Sequence, residues 1–225
     1  MEILKALHSK SVPLKASGLL EGRISLRKGV AHGARVSPWA VSPGVDQGIA
    51  CPTIGSGQGD FFLSSPTHLL DEDTTYIPCG DLFLLGYLNS RIGRAYLKET
   101  APIAWGDNHR VGVKYLASFP VPNQVEPYCS LVRLSIAKAV ESALNHEGVH
   151  ARYFQLLAEG LLCEFLVPDS FRLHGKVVAA YLEDLNWDRP ASVIFNEVYE
   201  SHHPIAVSLF FLDSVPEVRE LMERL

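Results

Sequence analysis

The chain has 225 residues, of which 47% are hydrophobic and 20% charged, and its formal net charge is −5. That length is one large domain or two small ones with proper cores, and the balance is that of an ordinary soluble globular protein. The longest apolar runs, such as Ile205 to Leu212, fall short of the roughly 20 residues a bilayer span needs, and no apolar signal-peptide core follows Lys5, Lys10 and Lys15, so a cytoplasmic protein without a membrane partner is expected.

Charge is unevenly spread. Residues 1–40 carry Lys5, Lys10, Lys15, Arg23, Arg27, Lys28 and Arg35 against Glu2 and Glu21. The segment after Gln124 is acidic instead, with Glu141, Glu147, Glu159, Glu164, Glu183, Asp184 and Asp188 among others. Such asymmetry hints at a nucleic-acid-facing part and a solvated or protein-facing part. Neither part is basic enough for tight non-specific binding through phosphates.

In chain order, Met1 to Val30 reads as strand-rich, "MEILKALHS" and then "GLLEGRISLRKGVAHGARV". Gly29 and Gly33 on either side of His32 permit positive φ, so Arg27, Lys28 and Arg35 would emerge from a tight turn; a simple hairpin with exposed cations fits equally well. Ser37 to Gly59 is rich in Ser, Pro and Gly and should be irregular, with short strands. Its "GSGQG" lacks the Lys-Ser/Thr ending and the following helix of a phosphate-binding loop. "GDFFLSS" and "TTYIPCG" read as two β segments around Asp71-Glu72-Asp73, a solvated turn with no nuclease-type lysine pattern beside it. From Leu82 to Leu97, apolar residues at Leu82, Leu85, Leu88, Ile92 and Tyr96 have helical spacing. A polar loop with Trp105, Asp107, Asn108, His109, Arg110 and Lys114 follows, then a β-type tail, Tyr115 to Val121, closed by Pro120 and Pro122. Beyond Asn123 the periodicity predicts two antiparallel helices between Val125 and Leu166, separated by Asn145 to Gly148, with Gly148 as a turn or cap residue. The expected class is α+β: a domain over 1–123 of mixed, curved β-structure with a long helix, and a helical domain over 124–225.

"LLGYLNSR", a basic and aromatic loop, and "KYLASFPVPN" in that order resemble the TaqI-like C-terminal specificity (target-recognition) domain of restriction–modification DNA adenine methyltransferases and fused restriction endonucleases. There the helix reads roughly "LLALLNSK" and the tail "YLKxIPIP", a pattern shared with type I specificity subunits. The C-terminal words "LLCEFLVPDSFRLHG", "FNEVYESHHPI" and "SLFFLDSVPEVREL" are similar to the ends of large restriction–modification methyltransferases, which read like "VYELYFPEExHxxG" and "YDxDHPIRxxLxFLDTxExVR". Matching positions are Glu164, Phe165, Pro168, His174, Gly175, Tyr199, His203, Pro204, Ile205, Phe211, Leu212, Asp213, Val218 and Arg219. The usual Ile-Asp before the "VYELY" word is absent, and Leu-Cys-Glu-Phe-Leu replaces its centre. The two resemblances cover most of residues 80–225, the first 80 only loosely. They imply recognition of double-stranded DNA on behalf of a methyltransferase or endonuclease catalytic domain or subunit.

No catalytic residue is assigned. The (N/D)PP(Y/F) motif that holds a flipped target base and a glycine-rich S-adenosylmethionine loop are both missing from the sequence, so that cofactor is expected on a separate catalytic domain and none in this chain. Cys51, Cys79, Cys129 and Cys163 lie far apart with no CxxC pair, which argues against zinc and against a disulfide framework. His202-His203 before Pro204 reads as a helix end or turn more readily than as a metal or base site. What remains is a readout surface. Arg grips guanine bidentately, Asn pairs with adenine edges, and Lys or Arg holds phosphates. Asn108, His109 and Arg110 are the expected base contacts, and Lys114, Arg27, Lys28 and Arg35 the expected phosphate contacts. The competing expectation is that Asp107 and Arg110 simply pair at the surface. An alternative function is a protein-interaction module docking onto a methylase or defence complex without reading DNA.

Overall fold

The structure, a computed structural model, describes residues 2–19, 27–28, 47–55, 61–64, 74–122, 127–200 and 202–225. The fold is α+β. The chain forms two compact units, one of Lys10–Asn123 and one of Met1–Ser9 with Gln124–Leu225.

The first residues are a helix, α1 (Glu2–Ser9), where a strand-rich start is expected, and α1 belongs to the second unit. Its apolar side chains explain the difference. Ile3, Leu4 and Leu7 are buried, and their spacing of one and three residues lies on one face of a helix but on both faces of a strand.

The 10–123 unit is built from antiparallel pairs. β1 (Ser11–Pro13) pairs with β9 (Pro120–Pro122), Val12 opposite Val121. A four-stranded sheet has the order β2 (Arg27–Lys28), β6 (Thr74–Ile77), β3 (Gly48–Pro52), β5 (Phe62–Ser64). A three-stranded sheet has the order β4 (Ile54–Gly55), β8 (Asn108–Arg110), β7 (Ile103–Trp105). Thr53 stands where the chain leaves β3 for β4, and its buried hydroxyl meets that of Thr75 on β6 at 3.0 Å, so the two sheets are tied at that corner. The turn expected at Gly29–Gly33, most of the Ser/Pro/Gly-rich stretch including Gly57 and Gly59, and the acidic turn at Asp71–Asp73 lie outside the described residues.

The single helix expected over Leu82 to Leu97 is two, α2 (Leu82–Asn89) and α3 (Arg91–Thr100). Ser90 breaks it with extended backbone (φ −67, ψ 161). Its hydroxyl donates to the Tyr87 carbonyl at 2.6 Å and accepts from Gly93 N–H at 3.2 Å, closing one helix and capping the next. The corner is tight enough that a Cβ on Gly93 would collide with the carbonyl oxygens of Tyr87 and Leu88. Asn89 reaches sideways, its amide bonding both the N–H and the C=O of Phe61 (3.2 and 2.7 Å). The Asn-Ser of "LLGYLNSR" therefore anchors a neighbouring backbone and turns the helix.

Most of the expected β-type tail is also helical. α4 (Val113–Ser118) starts at Gly112, whose carbonyl accepts from both Tyr115 and Leu116 N–H, and Leu116 is buried. Only Pro120–Pro122 is strand. Phe119 fills the space between these elements, ringed edge-on by Tyr87, Tyr96 and Tyr115 at centroid distances of 5.8, 5.1 and 5.9 Å. Tyr87 also donates to the Pro120 carbonyl at 2.6 Å, and burial pushes its phenol well above the ordinary range. The helix word and the tail word of the sequence are thus one packed cluster.

In the other unit, α5 (Pro127–Leu144) packs along α6 (Gly148–Leu166), and Gly148 between them has φ +64, the left-handed conformation that favours glycine. Shorter helices follow: α7 (Pro168–Leu173), α8 (Ala191–Phe195) continuing as a π-helical stretch over Asn196–Glu200, α9 (Pro204–Phe210) and α10 (Pro216–Glu223). Several C-terminal word residues hold these together. The buried Glu164 carboxylate accepts from Val178 and Ala179 N–H at 2.8 and 2.9 Å, at the start of a 3-10 helix over Ala179–Asp184. Burial pushes this carboxyl up, against the opposing pull of the two N–H groups and of Arg172. His203 caps α9, its Nδ1 accepting from Ile205 N–H at 3.2 Å, while Nε2 stands 3.1 Å from Asp184 Oδ2. Neutral imidazole protonated at Nε2 satisfies both bonds, which fits the helix-end role expected of this histidine pair.

Candidate nucleic-acid interface

Three of the seven expected contact residues fall on one element. The stretch read as a loop is a hairpin of β7 and β8, with Trp105 paired to Asn108 across Gly106-Asp107. Gly106 has φ +53, and among the described residues His202 is the only non-glycine with positive φ, so Asp107 is not left-handed. A two-residue connection with glycine in the first place is the pattern of a type II′ turn, whose twist suits a hairpin.

The base of this hairpin is tied down on every side. Arg110 N–H donates to the Pro102 carbonyl at 2.8 Å and Val111 N–H to the Thr53 carbonyl at 2.7 Å. Along β8, Ile54 opposes Arg110 and Gly55 opposes His109. His109 is buried, and its Nδ1 lies 3.1 Å from the Ala101 carbonyl oxygen. It is a strut between the hairpin and the end of α3, so the structure removes it from the expected base contacts.

Side chains alternate along a strand, which puts Asn108 and Arg110 on the face opposite His109. Arg110 is exposed, Asn108 half-buried, and Trp105 and Ile103 are exposed by 61% and 73%. Lys114, exposed in the first turn of α4, follows Arg110 by four residues. Among the described residues neither cation makes an ion pair, and Asp107 does not pair with Arg110. Beside Lys114, the Tyr115 phenol bonds the Thr100 hydroxyl at 2.7 Å, and burial pushes its pKa up. Around the hairpin there are thus a neutral hydroxyl pair and two positive charges that make no ion pair among the described residues. Covering the open part of the indole, on the order of 100 Å², would contribute about 2–3 kcal/mol.

The other expected phosphate contacts are not brought onto this hairpin. Arg27 and Lys28 form β2, opposite Tyr76 and Thr75 of β6 in the four-stranded sheet, and Arg35 lies outside the described residues. Backbone register links the two sets: Lys28 opposes Thr75, whose hydroxyl meets Thr53, whose carbonyl holds Val111 next to Arg110.

Trp105 and Ile103 were not among the sequence-derived contacts. The signal that finds them is Trp-Gly-Asp-Asn, a two-residue turn between strand-forming residues. Among the described residues no group of three or more His, Cys, Asp or Glu side chains stands together as a metal site, and Cys51, Cys79 and Cys163 are buried. No helix among them is long and apolar enough to cross a membrane. The chain matches no family model and no curated protein.

Proposed function

We propose that the chain is a sequence-recognition module for double-stranded DNA, non-catalytic by itself, acting for the catalytic domain or subunit of a restriction–modification or phage-defence adenine methyltransferase. The observation that carries this reading is the β7–β8 hairpin. It holds the exposed Arg110 and Trp105 with Asn108 on the same two strands, Lys114 is exposed in the first turn of the helix that follows, and among the described residues neither cation makes an ion pair. In the major groove arginine and asparagine read base edges, and lysine holds phosphate along its rim. The resemblance of "LLGYLNSR" and "KYLASFPVPN" to target-recognition domains supplies the methyltransferase context, and S-adenosylmethionine belongs to the partner.

The test is fluorescence anisotropy of a labelled random duplex at low and moderate salt, with wild type and with Arg110→Ala/Lys114→Ala. Binding that weakens with salt and drops in the double variant supports the hairpin as the DNA face. No binding at low salt removes the self-sufficient reader.

A second reading is favoured by a different observation. The helical unit exposes Leu173 by 82%, Phe210 by 73% and Phe211 by 49%, near a cleft of about 370 Å³ lined in part by Val177, Tyr181 and Val207. Apolar side chains left open in this way are those of a protein-docking surface, and on this reading the module joins a methylase or defence complex without touching DNA. Salt-insensitive, duplex-independent assembly with a catalytic subunit would favour it.

A further inference from the structure

Resting on the DNA reading, we infer that Trp105 is a stacking wedge, placed to insert against a base at a locally opened step of the duplex, and that the hairpin reads helix deformability as well as base edges. Four observations converge on it. Trp105 is the last residue before the turn, so its ring is carried at the tip of the hairpin. It and Ile103, two residues back on the same strand, are 61% and 73% exposed, while the strand beside them is knit into a three-stranded sheet. Exposed apolar side chains are therefore held on a rigid support. Arg110, two residues beyond Asn108 on the facing strand, and Lys114, in the first turn of α4, are both exposed, and among the described residues neither is ion-paired, so the elements around the hairpin carry the charge a polyanionic partner requires. Finally, Gly106 turns the chain with φ +53 and has open space where a Cβ would stand, so the residue that follows the indole places no side chain at the tip, which leaves the exposed Asp107 as the other turn residue.

Apolar wedges in nucleic-acid binders partly unstack a base step, and the unstacking is least expensive where the helix is already mismatched or lacks a base. Aromatic rings stack on any base face, so such a contact is indifferent to base identity while the neighbouring Asn108 and Arg110 are not.

The experiment compares the full chain on two labelled duplexes of one sequence, intact and with a single abasic position, by anisotropy at low salt. Wild type, Trp105→Phe and Trp105→Ala are measured, each checked for unchanged far-ultraviolet circular dichroism. The expected result is wild-type preference for the abasic duplex on the order of tenfold. That preference should survive partly in Trp105→Phe and vanish in Trp105→Ala, while salt-dependent binding to the intact duplex remains. Equal wild-type affinity for the two duplexes, or a preference that Trp105→Ala keeps, overturns the wedge and leaves the DNA reading standing. Absence of wild-type binding to either duplex overturns both.

Discussion

Removing the Glu164 carboxylate by Glu164→Ala tests the account of the helical unit most sharply. The side chain is buried and one of its oxygens, Oε2, accepts from both Val178 and Ala179 N–H. Alanine leaves both donors without that acceptor, and an orphaned buried donor costs about 1–3 kcal/mol, so the variant should lose about 2–4 kcal/mol once relief of the buried charge is set against it. Glu164→Gln keeps an acceptor oxygen and drops the charge, and should lose about 1 kcal/mol or less. The two are measured as urea midpoints by circular dichroism. The pH dependence has a definite sign. Burial raises the folded-state pKa of Glu164 above its ordinary value, so the folded protein binds this proton more readily than the unfolded chain. The contribution is fully present below the unfolded pKa and is lost as pH rises through the folded one. Wild type should therefore lose stability relative to Glu164→Gln as pH climbs through that window. A gap that moves in favour of wild type would show that the N–H pair outweighs burial and would refute the reasoning.

Gly93→Ala should destabilise the 10–123 unit by about 1–3 kcal/mol, because its Cβ meets backbone carbonyls that cannot step aside; chemical denaturation reads this. Gly106→Ala has open space but a left-handed φ, so it should cost about 1 kcal/mol, seen as a lower urea midpoint, and should lower DNA affinity in the anisotropy assay. His203→Ala removes the cap on Ile205 and the bond to Asp184, and should lose about 1 kcal/mol with DNA binding unaltered in the anisotropy assay.

The elements legible in the sequence were those whose signals are local. The α5–α6 pair was readable because long amphipathic runs meet at Gly148, which takes the positive φ expected of a turn residue. The class α+β follows from such runs beside short β segments. The break at Ser90 was hidden because apolar spacing continues through it, and only the hydroxyl bonds on both sides declare two helices. In "MEILKALHS" helical spacing was present, but nine residues are too few to separate it from a strand without knowing what it packs on. The site divided the same way. Arg110 and Lys114 were identifiable as cations in a polar stretch. His109 differs from Asn108 and Arg110 only by the parity of its strand, and parity requires the register with Ile54–Gly55. Trp105 was passed over because hydrophobic residues are ordinarily expected inside, and its exposure is a property of the hairpin.

The most direct measurement is selection from a pool of randomised duplexes at low salt, run in parallel with wild type and Arg110→Ala. One motif should be enriched with wild type, and the same motif with a single position relaxed in the variant, as loss of one bidentate base contact requires. Binding that enriches no motif, or a motif indifferent to Arg110, would contradict sequence reading by this hairpin.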